Sequence, residues 1–172
     1  MIHLVLASLV GQAIQTALQA DKTPAAQVAV VRNGRLIEDG AFGLANLDRK
    51  VAATPQTQFE IGSVTKQFTA AAILQLKEQG KLRLSDPLGK YVPEYARGKA
   101  ITIEQLLWQV SGVPNYTDVN HFVHIAGTTP GSLDAALALI AKKPLHFKPG
   151  TRWEYSNTNY LLLGGVVARA SG

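Results

Sequence analysis

A serine and a lysine stand three residues apart, Ser63 and Lys66, within Phe59-Glu60-Ile61-Gly62-Ser63-Val64-Thr65-Lys66-Gln67-Phe68. On a helix, positions three apart lie one turn from each other on the same face, so Lys66 would bring its amine beside the Ser63 hydroxyl. A helix start also offers unpaired backbone N–H groups and the positive end of the helix dipole. Together these can make a nucleophile and hold the oxyanion that its attack creates. The spacing by itself is common, and an exposed serine cap followed by a solvated lysine would read the same way. What shifts the weighing is a second polar element far downstream, Tyr155-Ser156-Asn157.

The chain has 172 residues, 47% hydrophobic and 17% charged, ordinary composition for a globular chain with one core. No cysteine is present, so disulfides and thiolate metal sites are excluded. The net charge of +5 comes from scattered Lys and Arg, with Arg49-Lys50 and Lys142-Lys143 as the adjacent pairs. Without a basic run interleaved with aromatics, nucleic acid is not an expected partner. The first ten residues are apolar but lack the basic flank of a signal peptide and are too short to span a membrane. They read as the start of a helix running to about Ala20, with a remnant of a trimmed signal sequence as the second reading.

The elements that must position Ser63 follow from patterning. Ala25 to Arg32 is a β-rich run, Asn33-Gly34 is a two-residue hairpin turn, and a return strand from Arg35 reaches as far as Phe42. Residues 44–58 read as a loop. The helix from Ser63 carries apolar residues around most of its circumference, which predicts a buried central helix ending at Gly80. Ser85-Asp86-Pro87 starts a short helix toward Tyr91. Thr102 and Gln105 fit a capping box for a helix through Val110, stopping at Ser111-Gly112. His121 and His124 lie in an irregular stretch with no third ligand at suitable spacing and read as a surface pair, not a metal site. Ser132 would cap an amphipathic helix, and a last helix runs from Tyr160 to Ala170, where Gly164-Gly165 suggests close helix packing.

With these elements in order, the chain resembles the serine β-lactamase-like family, which includes class C β-lactamases, D-Ala-D-Ala carboxypeptidases and related esterases. The resemblance begins near Val28. It rests on Ile61-Gly62-Ser63-Val64-Thr65-Lys66-Gln67-Phe68-Thr69, on Gly80-Lys81-Leu82 with Asp86-Pro87, on Ile101-Thr102-Ile103 with Leu106-Leu107 and Ser111-Gly112, and on Pro149-Gly150 with Tyr155-Ser156-Asn157. It implies an α+β, β-lactamase/transpeptidase-like fold: a mostly helical region (63–172) beside an N-terminal helix, hairpin and loop (1–62).

The resemblance also implies roles. Ser63 would be the acylated nucleophile and Lys66 would help strip its proton. Tyr155 would act as base for Ser63 and acid for the leaving group. Asn157 would orient Lys66 and bind a substrate amide. The Ser63 N–H would give half of an oxyanion hole. The substrate would be a β-lactam, a peptidoglycan stem or an ester, with no cofactor or metal, and the location periplasmic or secreted. Simple chemistry agrees, because a phenol titrating near ~10 is a poor base at neutral pH unless an ammonium lies beside it. The bland alternative makes Tyr155 a half-buried core phenol and Asn157 an N-cap for the last helix; Asn157 could be both cap and ligand.

Two departures from the family pattern matter. Many relatives carry a histidine after Leu106-Leu107, where Gln109 and Val110 stand here, a change expected to act on helix packing more than on chemistry. The third motif, K-T-G or H-x-G on a later strand, does not occur. The expectation is therefore a single, incomplete domain over 1–172 whose hairpin lacks partner strands: an N-terminal portion, a piece complemented by another chain, or a self-associating form. A penicillin- or peptidoglycan-binding sensor without turnover and an inactive fragment stand as alternatives to a hydrolase or acyl-transferase.

Overall fold

A computed structural model of the chain describes residues 2–118 and 133–172. His121, His124 and Ser132 lie outside the described residues. The chain divides into two units, Met1–Glu60 and Ile61–Gly172.

The first unit holds α1 (Ile2–Ala20), β1 (Ala25–Arg32), β2 (Arg35–Asn46) and β3 (Val51–Ala52) in an antiparallel sheet of order β1-β2-β3. Asn33 and Gly34 both adopt positive φ, 51° and 72°, as a hairpin turn that matches strand twist requires. Arg32 then pairs with Arg35 and the ladder runs to Ala25 opposite Gly43, with a bulge between Val30 and Val31. β2 is longer than its pattern suggested, and the loop expected over 44–58 contains β3. The reversal is made by a side chain. Asn46 Oδ1 accepts the Arg49 N–H at 2.7 Å, Lys50 takes positive φ, and the chain returns so that Leu44 pairs with Ala52. Gln27 then pins the next turn by donating to the carbonyls of Thr54 and Thr57, both at 2.8 Å. Among the described residues no helix is long and apolar enough to cross a membrane.

The second unit is helical. A 3₁₀ turn, Gly62–Val64, leads into α2 (Thr65–Glu78). 3₁₀ turns at Leu88–Lys90 and Ala96–Ala100 follow, then α3 (Ile103–Leu107), a 3₁₀ turn at Tyr116–Asp118, α4 (Leu133–Ile140) and α5 (Asn157–Ser171). Ile73, Leu88, Ile101, Ile103, Leu106, Ile140, Leu162, Leu163 and Val166 are fully buried and form the core. Each contributes roughly 1.5–3 kcal/mol relative to an exposed side chain.

α2 is not buried all round. It packs along α5 and buries Ile73 and Leu76, one turn apart, while Phe68 and Leu74 are 63% and 45% exposed. A helix touched along one line buries only the residues on that line, whatever its other faces carry. Its end is as the sequence predicted. Gly80 takes φ 72°, its N–H bonds to the Lys77 carbonyl, and the Lys81 N–H reaches the Leu76 carbonyl, the paired bonds of a glycine-terminated helix.

Asp86 does not cap the short turn that follows; it ties that turn together. Its carboxylate accepts from Lys90 Nζ (2.8 Å), the Tyr91 hydroxyl (2.7 Å) and the Arg83 N–H (3.0 Å). These bonds, that of Lys90 foremost, lower its pKa from 3.8 to about 2. A depressed carboxylate adds stability that is complete above its unfolded pKa and is lost as pH falls through the folded one. Chemical denaturation should therefore show a stability loss between about pH 4 and pH 2 that is blunted in Asp86→Asn, with the variant ~1–2 kcal/mol less stable at neutral pH.

Capping at Thr102 follows the sequence. Its hydroxyl accepts the Gln105 N–H at 3.2 Å, and the Gln105 side chain accepts the Thr102 N–H at 3.0 Å. The helix it opens, however, ends at Leu107 and does not run to Val110. In the glycine pair of α5, a Cβ on Gly165 would lie 2.6 Å from Leu133, but one on Gly164 would meet nothing within 4 Å. The close packing belongs to Gly165 alone. Gly164→Ala should stabilise the chain by ~0.5–1 kcal/mol through helix propensity, read as a higher midpoint in urea.

Candidate active site

Gly62, at φ 51°, turns the chain into the 3₁₀ turn that carries Ser63, and α2 begins two residues later. This places Lys66 one turn from Ser63. Its Nζ donates to Ser63 Oγ at 3.0 Å and to Asn157 Oδ1 at 2.7 Å. Ser63 Oγ is also hydrogen-bonded to the Tyr155 hydroxyl at 2.7 Å. Lys66 Nζ lies 4.9 Å from the centre of the Tyr155 ring. All four residues singled out from the sequence thus meet in one hydrogen-bonded group, although 92 positions separate Ser63 from Tyr155.

Lys66 is the hub of the group. Its amine beside the Tyr155 phenol is the main cause holding that phenol below the ordinary tyrosine range; the Ser63 hydrogen bond adds to the effect and burial opposes it. Tyr155 is 42% exposed, so it is not a core phenol. Tyr160 moves the other way, raised by burial, and its hydroxyl donates to the Leu107 carbonyl.

Asn157 is the first residue of α5 and does not cap it. The cap position is Ser156, which makes no capping bond with its side chain. Asn157 spends its amide elsewhere: Oδ1 accepts from Lys66, and Nδ2 donates to Thr117 Oγ1 at 3.2 Å. Its N–H, an orphan of the helix start, is taken by Asn115 Oδ1 at 3.0 Å. Thr158 holds the same loop, accepting the Tyr116 N–H and donating to the Pro114 carbonyl. Asn115 and Thr117 were not foreseen. The local signal was only a turn-forming asparagine after Pro114, and nothing local tells which distant helix end such a residue serves.

An open cleft of about 580 Å³ borders the group, lined among others by Gly62, Ser63, Lys66, Thr117, Asn157 and Leu161. Ser63 is exposed and reachable from it.

The segment carrying Tyr155 is held from below by the residue expected to affect helix packing. Gln109 lies beyond the end of α3 at φ 59° and is 7% exposed. Its carbonyl accepts the Glu154 N–H and its side-chain oxygen accepts the Ser156 N–H, both at 3.0 Å. Gln109 follows the end of α3 rather than lying within it; its side-chain oxygen meets Asn159 of α5 as well as the Tyr155 segment. Gly112 completes the approach on this side. It takes φ 73°, and a Cβ there would lie 2.4 Å from the Phe147 carbonyl oxygen.

Comparison with known proteins identifies the family and the fold. The Beta-lactamase family matches residues 10–172. Protein flp of Staphylococcus aureus (strain COL) is 38% identical over 159 residues, covering 90% of this chain and 31% of its own length. Among solved structures, the octameric penicillin-binding protein homologue from Pyrococcus abyssi superposes with TM-score 0.82 at 30% identity, covering 95% of this chain and 39% of that one. EstCE1, a hydrolase with promiscuous acyltransferase activity, superposes with TM-score 0.84 at 26% identity, covering 99% and 48%. The fold and the match over nearly the whole chain define the class: this chain belongs to the Beta-lactamase family of serine hydrolases. It spans about a third of the length of the curated relative it matches (31%).

Proposed function

We propose that the chain carries the nucleophile and proton-transfer groups of a serine hydrolase or acyl-transferase that forms an acyl-enzyme at Ser63. The observation that carries this reading is the closed contact set in which one amine, Lys66, bonds both Ser63 Oγ and Asn157 Oδ1 while Tyr155 bonds the same Ser63 oxygen.

In the proposed reaction, Ser63 Oγ attacks the carbonyl carbon of an amide, β-lactam or ester. Its proton passes to the Lys66–Tyr155 pair, acting as one coupled base. The Ser63 backbone N–H would supply one donor to the developing oxyanion. Collapse breaks the bond to the leaving nitrogen or oxygen, and Tyr155 returns the proton to it. An ester at Ser63 remains, for water or another acceptor to release. Asn157 Nδ2, which bonds Thr117 Oγ1, would turn from it to meet a substrate carbonyl.

The test is intact mass after incubation with benzylpenicillin and, separately, with a p-nitrophenyl ester, followed by peptide mapping. Acylation should add the mass of the penicillin or of the acyl group to the peptide containing Ser63. The probe with the longer-lived adduct indicates the substrate class. An unmodified chain, or an adduct on another peptide, overturns the reading.

A further inference from the structure

We infer that Gln109 is the positioning residue of Tyr155, gripping the backbone on both sides of that tyrosine and so setting where its hydroxyl meets Ser63. The inference rests on the base role proposed for Tyr155. Its grounds are geometric. The two N–H groups that flank Tyr155, those of Glu154 and Ser156, both bond to this one residue, the first to its carbonyl and the second to its side-chain oxygen. A left-handed backbone turn can present a residue's own carbonyl and its side chain to one neighbouring segment. Gln109 has one, φ 59°, which β-carbon sterics disfavour for any residue but glycine.

The side chain is itself held. The Asn159 amide nitrogen donates to the same Gln109 oxygen, and Ser111 Oγ donates to the Asn159 oxygen, which fixes which end of the amide faces Gln109. Ser111, Asn159 and Gln109 are 0%, 1% and 7% exposed, so this is a buried relay with each member's orientation set by the next. The Asn159 N–H closes the loop on the Ser156 carbonyl at 3.2 Å. Tyr155 is thus a partly exposed phenol on a segment with no regular secondary structure, yet the residues on either side of it are tied to the core. A purely structural buried glutamine would need one or two partners anywhere; this one bonds both neighbours of the residue whose oxygen must sit 2.7 Å from Ser63.

The experiment compares the full chain with Gln109→Met, which keeps the shape and removes the acceptor, and Gln109→Glu, which keeps an acceptor. Tyrosines are labelled at Cζ and followed by NMR across pH, with Tyr155→Phe used to assign the signal. In Gln109→Met the Tyr155 midpoint should move up toward those of the other tyrosines. Acylation by the p-nitrophenyl ester should slow ~100-fold in the rate constant with little change in KM, the scale of a misplacement of about 1 Å. Gln109→Glu should recover most of both. A folded Gln109→Met with an unmoved Tyr155 midpoint overturns the inference, as does a Glu variant no better than Met.

If Gln109→Met does not fold, amide exchange in the unmutated chain decides. The Glu154 and Ser156 amides should exchange at least ~100-fold more slowly than an unstructured peptide, and an unprotected rate at either overturns the inference. Should the unmutated chain take no acyl group, the catalytic reading falls while the titration and exchange still judge Gln109.

Discussion

Ser63→Ala should eliminate the covalent adduct outright while leaving the fold intact. Ser63 is exposed, and its side chain contributes no core volume. Its oxygen makes two hydrogen bonds, one with Lys66 Nζ and one with the Tyr155 hydroxyl, both in a solvent-accessible group. Losing them costs at most ~1 kcal/mol of stability, because both partners can turn to water. The chemical loss follows because Ser63 Oγ is the oxygen that both Lys66 and Tyr155 contact and the one proposed to carry the acyl group. Intact-mass measurement should show the native chain shifted and the variant unshifted under identical exposure to the p-nitrophenyl ester, with the two unfolding at the same denaturant concentration within error. An adduct on the variant at the native rate would assign the nucleophile elsewhere.

Lys66→Met should reduce the acylation rate by ~10³–10⁴-fold, the scale seen when a base that activates a nucleophile is removed. The size follows from connectivity. Lys66 orients the serine oxygen, anchors Asn157, and is the principal cause that lowers the Tyr155 pKa. One substitution therefore removes three supports, and the effects of Lys66→Met and Tyr155→Phe should not add.

The pH profile separates the two variants. Acylation needs a base, so its rate rises as the Tyr155 phenol beside Lys66 loses its proton. Because the folded phenol is depressed, that rise should fall at lower pH than an ordinary tyrosine would give. In Lys66→Met the phenol loses its main stabilising partner, so the rise should move to higher pH and the residual rate should recover in alkali. In Tyr155→Phe no phenol remains to recover. Stopped-flow release of p-nitrophenolate across pH would read both. A Lys66→Met profile unmoved from the native one would break the coupling between the two residues.

Much of this site was legible in order along the chain. The Ser63–Lys66 spacing is a local fact: once the segment is helical, 3.6 residues per turn bring the amine to the hydroxyl, and the structure gives 3.0 Å. The Asn33-Gly34 hairpin, the glycine stop at Gly80 and the Thr102–Gln105 capping box are local for the same reason, since turn and cap chemistry is settled within four or five residues. That Tyr155 and Asn157 belong with Ser63 came from the resemblance to a family, not from spacing.

What tertiary structure decided lies in contacts whose partners are remote. α2 is apolar around most of its circumference, yet which face is buried depends on where α5 runs, so Ile73 and Leu76 are covered and Phe68 is not. β3 exists because an asparagine side chain turns the chain at Leu47–Lys50, a reversal that hydrophobic alternation does not encode. Asn157 could have capped its helix; the approach of Lys66 on one side and Thr117 on the other made it a bridge. Gln109 read as a change in helix packing because it stands where many relatives carry a histidine, within a helix expected to reach Val110. The helix ends at Leu107, three residues early, the backbone enters the left-handed region at Gln109, and the amide meets a segment 47 residues away. Hydrogen bonds formed within a turn are set by residues that the chain itself keeps adjacent. Those that join distant segments depend on which surfaces the packed core brings together, and only the folded molecule specifies that.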